Sequence, residues 1–110
     1  MTLEELKAAG YNRYEPPITS RASYIMSKWI KDKDGTKLYA IHFYVYDAIP
    51  GRTQTAFAAE AIFYSSHYQA DGMRMDVTFN FLEKISVAEI EKEFEDIYCW
   101  KGCQPDPHNQ

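Results

Sequence analysis

The chain has 110 residues, 45% hydrophobic and 25% charged, which fits a single domain with its own core and excludes a disordered chain. Its net charge of −4 argues against non-specific nucleic-acid binding, which needs a basic footprint, and no run of about 18 apolar residues marks a transmembrane helix. The start, "MTLEELKAAG", lacks the basic and apolar regions of a signal peptide, and two cysteines fit a reducing compartment, so the expectation is a soluble cytoplasmic protein. Nine Tyr and six Phe are more aromatic residues than a core this small needs, and aromatic side chains are preferred anchors of binding surfaces.

In chain order, residues 1–10 read as a short helix. Thr2 and Glu5 form a capping box, Leu3 and Leu6 share a face, and Gly10 is a helix stop. "YNRYEPPITS" is irregular, because Pro16 and Pro17 force extended geometry on the residues before them. Four strand-like runs follow, at residues 22–31, 37–47, 53–68 and 73–82. "DKDGT", "IPGR" and Asp71-Gly72 separate them as turns. Short connections make an antiparallel meander the simplest topology. Residues 86–99 then read as a second helix, with Ser86 and Glu89 as a capping box and Val87, Ile90, Phe94, Ile97 and Tyr98 at helical spacing. Glu89, Glu91, Glu93, Glu95 and Asp96 read as its solvated side, and residues 101–110 as a loose tail.

The turns predict a register, and the register sorts side chains by face. With Asp71-Gly72 as a two-residue loop, Tyr68 pairs with Met75, Ser65 with Thr78, and His67 lies opposite Asp76. With Pro50-Gly51 as another, Val45 pairs with Ala56, Phe43 with Ala58 and Ile41 with Glu60. The core face then holds Tyr39, Ile41, Phe43, Val45, Ala56, Ala58, Ile62, Tyr64, Met75, Val77, Phe79 and Phe81, covered by the second helix. The second face carries Leu38, His42, Tyr44, Tyr46, Phe57, Ala59, Ala61 and Phe63 beside Arg74, Asp76, Thr78 and Asn80. A first loop at Lys33, Asp34 and Gly35 adds Tyr24, Met26 and Lys28. Such a half-aromatic face calls for a cover: the N-terminal segment, a second copy of the chain, or a partner.

Candidate chemistry is sparse. His67 beside Asp76 could serve as an oriented base, but its plainer reading is a polar pair near a hairpin end. His42 lies among aromatic residues, either satisfied by a tyrosine hydroxyl or touching a ligand. Glu60 falls on the core face, where an unpaired carboxylate is costly; a bulge that turns it outward is the plainer outcome. Cys99, Cys103 and His108 form C-x3-C-x4-H, half of what a zinc module needs. No phosphate-binding, zinc-protease or serine-hydrolase motif is present. Single-stranded bases could stack on Tyr24, Tyr44 and Phe57 with Lys28, Arg52 and Arg74 near the phosphates, but the acidic balance opposes this.

The expectation is therefore one α+β domain, a four-stranded antiparallel β-meander flanked by a short N-terminal helix and a C-terminal amphipathic helix (α-β-β-β-β-α). The expected function is non-enzymatic binding, with the second face contacting a protein partner or a second copy. Tyr24, Tyr44, Tyr46 and Phe57 are the anchors of that surface. His42, Arg74, Asp76 and Asn80 set its polar specificity. No catalytic residue, metal or cofactor is assigned. The alternatives are a small enzyme or small-ligand protein using His42, His67, Asp76 or Glu60, and a single-strand nucleic-acid binder. No segment carries a family motif. In general style, short and aromatic-rich, the chain resembles small phage- or mobile-element-encoded proteins, which implies a host factor as partner and the host cytoplasm as compartment.

Overall fold

Residues 38–46 alternate without interruption between a half-buried and a buried side chain, and the sheet is assembled on both sides of that strand. The computed structural model describes residues 1–14, 22–46, 56–65, 73–79, 85–100, 103 and 105, with the backbone alone for 56, 65 and 73–79. The elements are α1 (Leu3–Ala8), β1 (Asn12–Arg13), β2 (Tyr24–Lys31), β3 (Lys37–Tyr46), β4 (Ala56–Ser65), β5 (Met73–Phe79) and α2 (Val87–Trp100). The strands form one open antiparallel sheet in the order β1-β2-β3-β4-β5. This is the expected α+β meander between two helices, with the two-residue β1 added at the edge beside β2.

Both helix starts use the expected side chains. The Thr2 hydroxyl accepts from the Glu5 N–H at 3.1 Å, and Ser86 Oγ from the Glu89 N–H at 3.1 Å. Helix α1 stops at Gly10, whose φ of +95° suits glycine, and the Tyr11 N–H returns to the Leu6 carbonyl at 3.0 Å. Between β2 and β3, Asp32 Oδ1 accepts from the N–H groups of Asp34 and Thr36, and Gly35 takes a φ of +84°.

The core lies on the face covered by α2. Tyr39, Ile41, Phe43 and Val45 of β3 meet Phe57, Ala59, Ala61 and Phe63 of β4, and Val87, Ile90 and Phe94 of α2 close over them. The rings interlock: Tyr39 stands edge-on to Phe63 at 4.9 Å, Phe63 edge-on to Phe94 at 6.2 Å, and Tyr11 edge-on to Phe43 at 5.1 Å. Leu6 of α1 joins the same cluster, so both helices serve one side of the sheet.

The register corrects the expected faces. In β3–β4, Val45 pairs with Phe57, Phe43 with Ala59 and Ile41 with Ala61, one residue away from the pairing that a Pro50-Gly51 loop implies. A one-residue slip exchanges every side chain of the strand. Phe57, Ala59, Ala61 and Phe63 therefore go to the core, while Ala58, Glu60, Ile62 and Tyr64 leave it. In β4–β5, Phe63 pairs with Met75, Ala61 with Val77 and Ala59 with Phe79, five residues away from the Asp71-Gly72 hairpin. The two odd errors cancel, so the odd positions of β5 fall in register with core positions, as expected. Phe81 and Asn80 lie outside the described residues, as do the proposed loop residues Pro50, Gly51, Asp71 and Gly72. In β2 the expected first loop holds at Lys31↔Lys37, but a bulge between Ile30 and Lys31 shifts the remaining pairs. Tyr24, Met26 and Lys28 therefore stand opposite Val45, Phe43 and Ile41, on the core side.

Glu91 is a second correction. Expected on the solvated side of the helix, it is half-buried and accepts from Lys28 Nζ at 2.9 Å and from the Tyr11 hydroxyl at 3.1 Å through the same Oε1. Lys28 Nζ also donates to the Ala9 carbonyl at 2.9 Å and sits 4.7 Å from the centre of the Tyr11 ring. One carboxylate thus joins α2 to β2 and to the end of α1. Of the tail, Cys103 is half-buried against the core, its N–H donating to the Tyr98 carbonyl at 3.1 Å.

Two outcomes follow from this packing. Phe57→Ala is expected to cost about 3–5 kcal/mol in urea unfolding, against under about 1 kcal/mol for Trp29→Ala on the other face; equal costs would put the β4 register in error. Burial, together with Glu91, holds the Tyr11 hydroxyl far above the usual tyrosine range. Burial, with Glu95, Cys99 and Glu91 nearby, does the same for Tyr39. An unfolded tyrosine ionises near pH 10 and these two do not, so above about pH 10 the unfolded chain binds fewer protons and stability falls as pH rises. Tyrosinate absorbance of the folded protein should leave both untitrated until alkaline unfolding releases them together.

Candidate functional site

The face turned away from both helices is built from the even positions of β3 and β4 and the odd positions of β2. Three cross-strand rows describe it: Ile25–Tyr44–Ala58, Ser27–His42–Glu60 and Trp29–Ala40–Ile62. Tyr46 and Tyr64 extend it at the two ends of the sheet. The outer rows are apolar or aromatic, and the middle row is polar. Ile25 and Ala58 are buried, Tyr44, His42, Glu60 and Ile62 half-buried, and Trp29 is 42% exposed.

Within this face Tyr44 is tied down. Its hydroxyl donates to Glu60 Oε2 at 2.6 Å, a short charge-assisted bond between diagonal neighbours on adjacent strands. His42, directly opposite Glu60 in the register, receives the ring of Tyr14 edge-on at 5.0 Å. Tyr14 follows β1, and its N–H donates to the Ile25 carbonyl at 2.8 Å. The N-terminal segment therefore carries one aromatic side chain over the edge of the face. At the other end, Lys37 Nζ sits 4.7 Å from the Trp29 ring centre, a cation–π contact that orients an exposed aromatic.

The sequence-proposed residues divide between the two faces. His42, Tyr44 and Tyr46 stand together as expected. The backbone register places Arg74 opposite Tyr64 and Asp76 opposite Ile62, on the same side. Tyr24 and Phe57 do not belong: the bulge in β2 and the slip in β4 put both on the core side, where Arg13 covers the Tyr24 ring at 4.6 Å and Phe57 is buried. Lys28, expected near phosphates on this face, is held by Glu91 on the other. Asn80, His67 and Arg52 lie outside the described residues. The expected His67–Asp76 and Ser65–Thr78 pairs are overturned, since Ile62 faces Asp76 and Met73 faces Ser65. Leu38, also expected here, packs against the core at the hairpin end beside the bulge.

Trp29, Ile25, Ser27 and Ile62 were missed. The signal that could have recovered the β4 part was Glu60 itself. It is the single charge in "AFAAEAIF", and an odd-position core of Phe57, Ala59, Ala61 and Phe63 leaves it outside.

Among the described residues no group of three or more His, Cys, Asp or Glu is placed to hold a metal, and no helix is long and apolar enough to cross a membrane. Cys99 and Cys103 are not joined in a disulfide, and His108 lies outside the described residues. No protein-family model, curated protein or solved structure matches the chain.

The Tyr44–Glu60 bond has a measurable weight. Tyr44→Phe and Glu60→Gln are each expected to lower stability by about 1 kcal/mol. A double-mutant cycle in urea should return a coupling of about 0.5 kcal/mol or more, and strict additivity would remove the bond from the account.

Proposed function

We propose that the protein is a small non-enzymatic interaction protein whose open sheet face contacts a protein partner. The observation that carries this reading is the composition of that face: Trp29, Tyr44, Tyr46, Ile62 and Tyr64 surround the polar row Ser27–His42–Glu60, on the side of the sheet away from both helices. Aromatic side chains with hydroxyl or indole groups anchor protein interfaces because they bring large area at low entropic cost. A pleated sheet face is flat, which suits another protein better than a small molecule, whose sites are concave. In this reading Trp29, Tyr44 and Tyr46 are the anchors, and His42, Glu60, Arg74 and Asp76 supply polar specificity. Either a second copy of the chain or a different protein can be the partner.

The test begins with molar mass by light scattering across concentration. A dimer that Tyr44→Ala dissociates, in a chain that stays folded, identifies the partner as a second copy. If the chain is a monomer, wild-type protein serves as bait beside Tyr44→Ala, Trp29→Ala and, as a control on the other side, Glu95→Gln. A protein retained by wild type and Glu95→Gln but lost from both open-face variants supports the reading. Equal retention by all four counts against it.

A second reading rests on the register alone. It sets Ser27, His42 and Glu60 side by side on three adjacent strands, residue types that serve nucleophile, base and orienting acid in acyl transfer. Turnover of a chromogenic ester by wild type and not by His42→Gln would favour it over a purely adhesive face.

A further inference from the structure

A groove of about 320 Å³ opens between α2 and the end of the β2–β3 hairpin, away from the face discussed above. Its volume is at the lower end of small-molecule sites. Ile30, Leu38, Tyr39 and Tyr98 form its apolar walls, and Glu91 and Glu95, one helical turn apart on α2, form its acidic side. The Tyr39 and Tyr98 rings lie 5.0 Å apart at a 35° tilt, with Tyr39 buried and Tyr98 half-buried, so Tyr98 supplies most of the accessible aromatic surface.

We propose that this groove binds a small organic cation with an apolar body, of the arylalkylammonium type. The apolar body packs against Ile30, Leu38 and the two tyrosines, and the ammonium group is drawn to Glu95. Glu91 is already engaged by Lys28 at 2.9 Å, so Glu95 is the carboxylate that distinguishes a cation from a neutral ligand. Charge complementarity is the basis of this choice. Burial comes first in holding the Tyr39 hydroxyl protonated, and the carboxylates that add to it are Glu95 and Glu91. The acidic side of the groove therefore lies beside that hydroxyl. Lys31 also lines it; as an exposed side chain on a long flexible stem, it can keep its ammonium in water while its methylenes line the rim.

The exposed Cys99 thiol at the groove provides an independent reporter. The experiment is a titration of the full chain with 2-phenylethylamine, its neutral counterpart 2-phenylethanol and the anion 3-phenylpropionate. It is read by amide chemical shifts and by the alkylation rate of Cys99 in a Cys103→Ser background. The proposal expects shifts centred on Tyr39, Glu95, Tyr98 and Cys99, tightest binding by the amine, and slower Cys99 alkylation when the amine is bound. Glu95→Gln, a change at an exposed helix position, should weaken the amine by roughly threefold or more and leave the alcohol unchanged. Equal binding of amine and alcohol, an unaltered amine affinity in Glu95→Gln, or no shifts at the highest soluble amine concentration would each overturn it. Because this groove and the open sheet face share no residue, failure here leaves the protein-partner reading standing, and the reverse also holds.

Discussion

The uninterrupted alternation of β3 is the constraint to which every other placement refers. Its odd residues, Tyr39, Ile41, Phe43 and Val45, are buried, and its even residues His42, Tyr44 and Tyr46 are half-buried on the opposite side. A strand flanked on both edges transmits this polarity to its neighbours through the ladder, since residues directly opposite one another share a face. The helix-covered core and the open aromatic face are therefore one decision seen from two sides. A change that slipped β3 by one residue would move the core to solvent and the polar row inward at the same time.

The helices are then held to that core by two different means. Helix α2 presents Val87, Ile90 and Phe94 to the sheet, which is ordinary apolar burial. The N-terminal segment is short and offers only Leu6 and Tyr11 as fully covered side chains. Its attachment is reinforced by the Lys28–Glu91 pair, which reaches both the Ala9 carbonyl and the Tyr11 hydroxyl. Both charged side chains are about three-quarters covered (23% and 28% exposed), so screening by solvent is weaker than for a surface pair, and each has further hydrogen-bonding contacts to offset its desolvation. Lys28 stands on the core side only because of the bulge at Ile30/Lys31. A local irregularity in one strand thus makes a long-range anchor available.

The same geometry separates two surfaces of different character. The face away from the helices is aromatic and crossed by a polar row, with the Tyr44 hydroxyl held by Glu60. The groove beside α2 is narrow, and its acidic side comes from helix residues that a sequence pattern assigns to solvent. Charges that look interchangeable along α2 differ once the helix docks. Glu91 becomes structural, Glu95 borders the groove, and Asp96 pairs with Lys92 at 2.7 Å on the exposed side.

Much of the architecture was legible in the sequence because it rests on local rules. Thr2 and Ser86 announce their helices, Gly10 and Asp32-Gly35 mark chain reversals, and the run at residues 37–47 between two turn signals declares a strand. Those features depend on backbone chemistry within a few residues, so the sequence by itself determined the α+β class and the order of all elements but the two-residue β1, and it assigned the buried side of β3. It also placed His42, Tyr44 and Tyr46 on a common face. The side of β5 came out as expected because two odd register errors cancel. Only the tertiary structure decided how β2 and β4 are phased against β3, and with that the move of Tyr24 and Phe57 to the core side and the placing of Trp29 and Glu60 on the opposite face. A single-residue bulge or one extra loop residue changes little locally but exchanges all the side chains beyond it. That outcome is settled by which set of side chains packs best across the whole sheet, and no short stretch of sequence contains it.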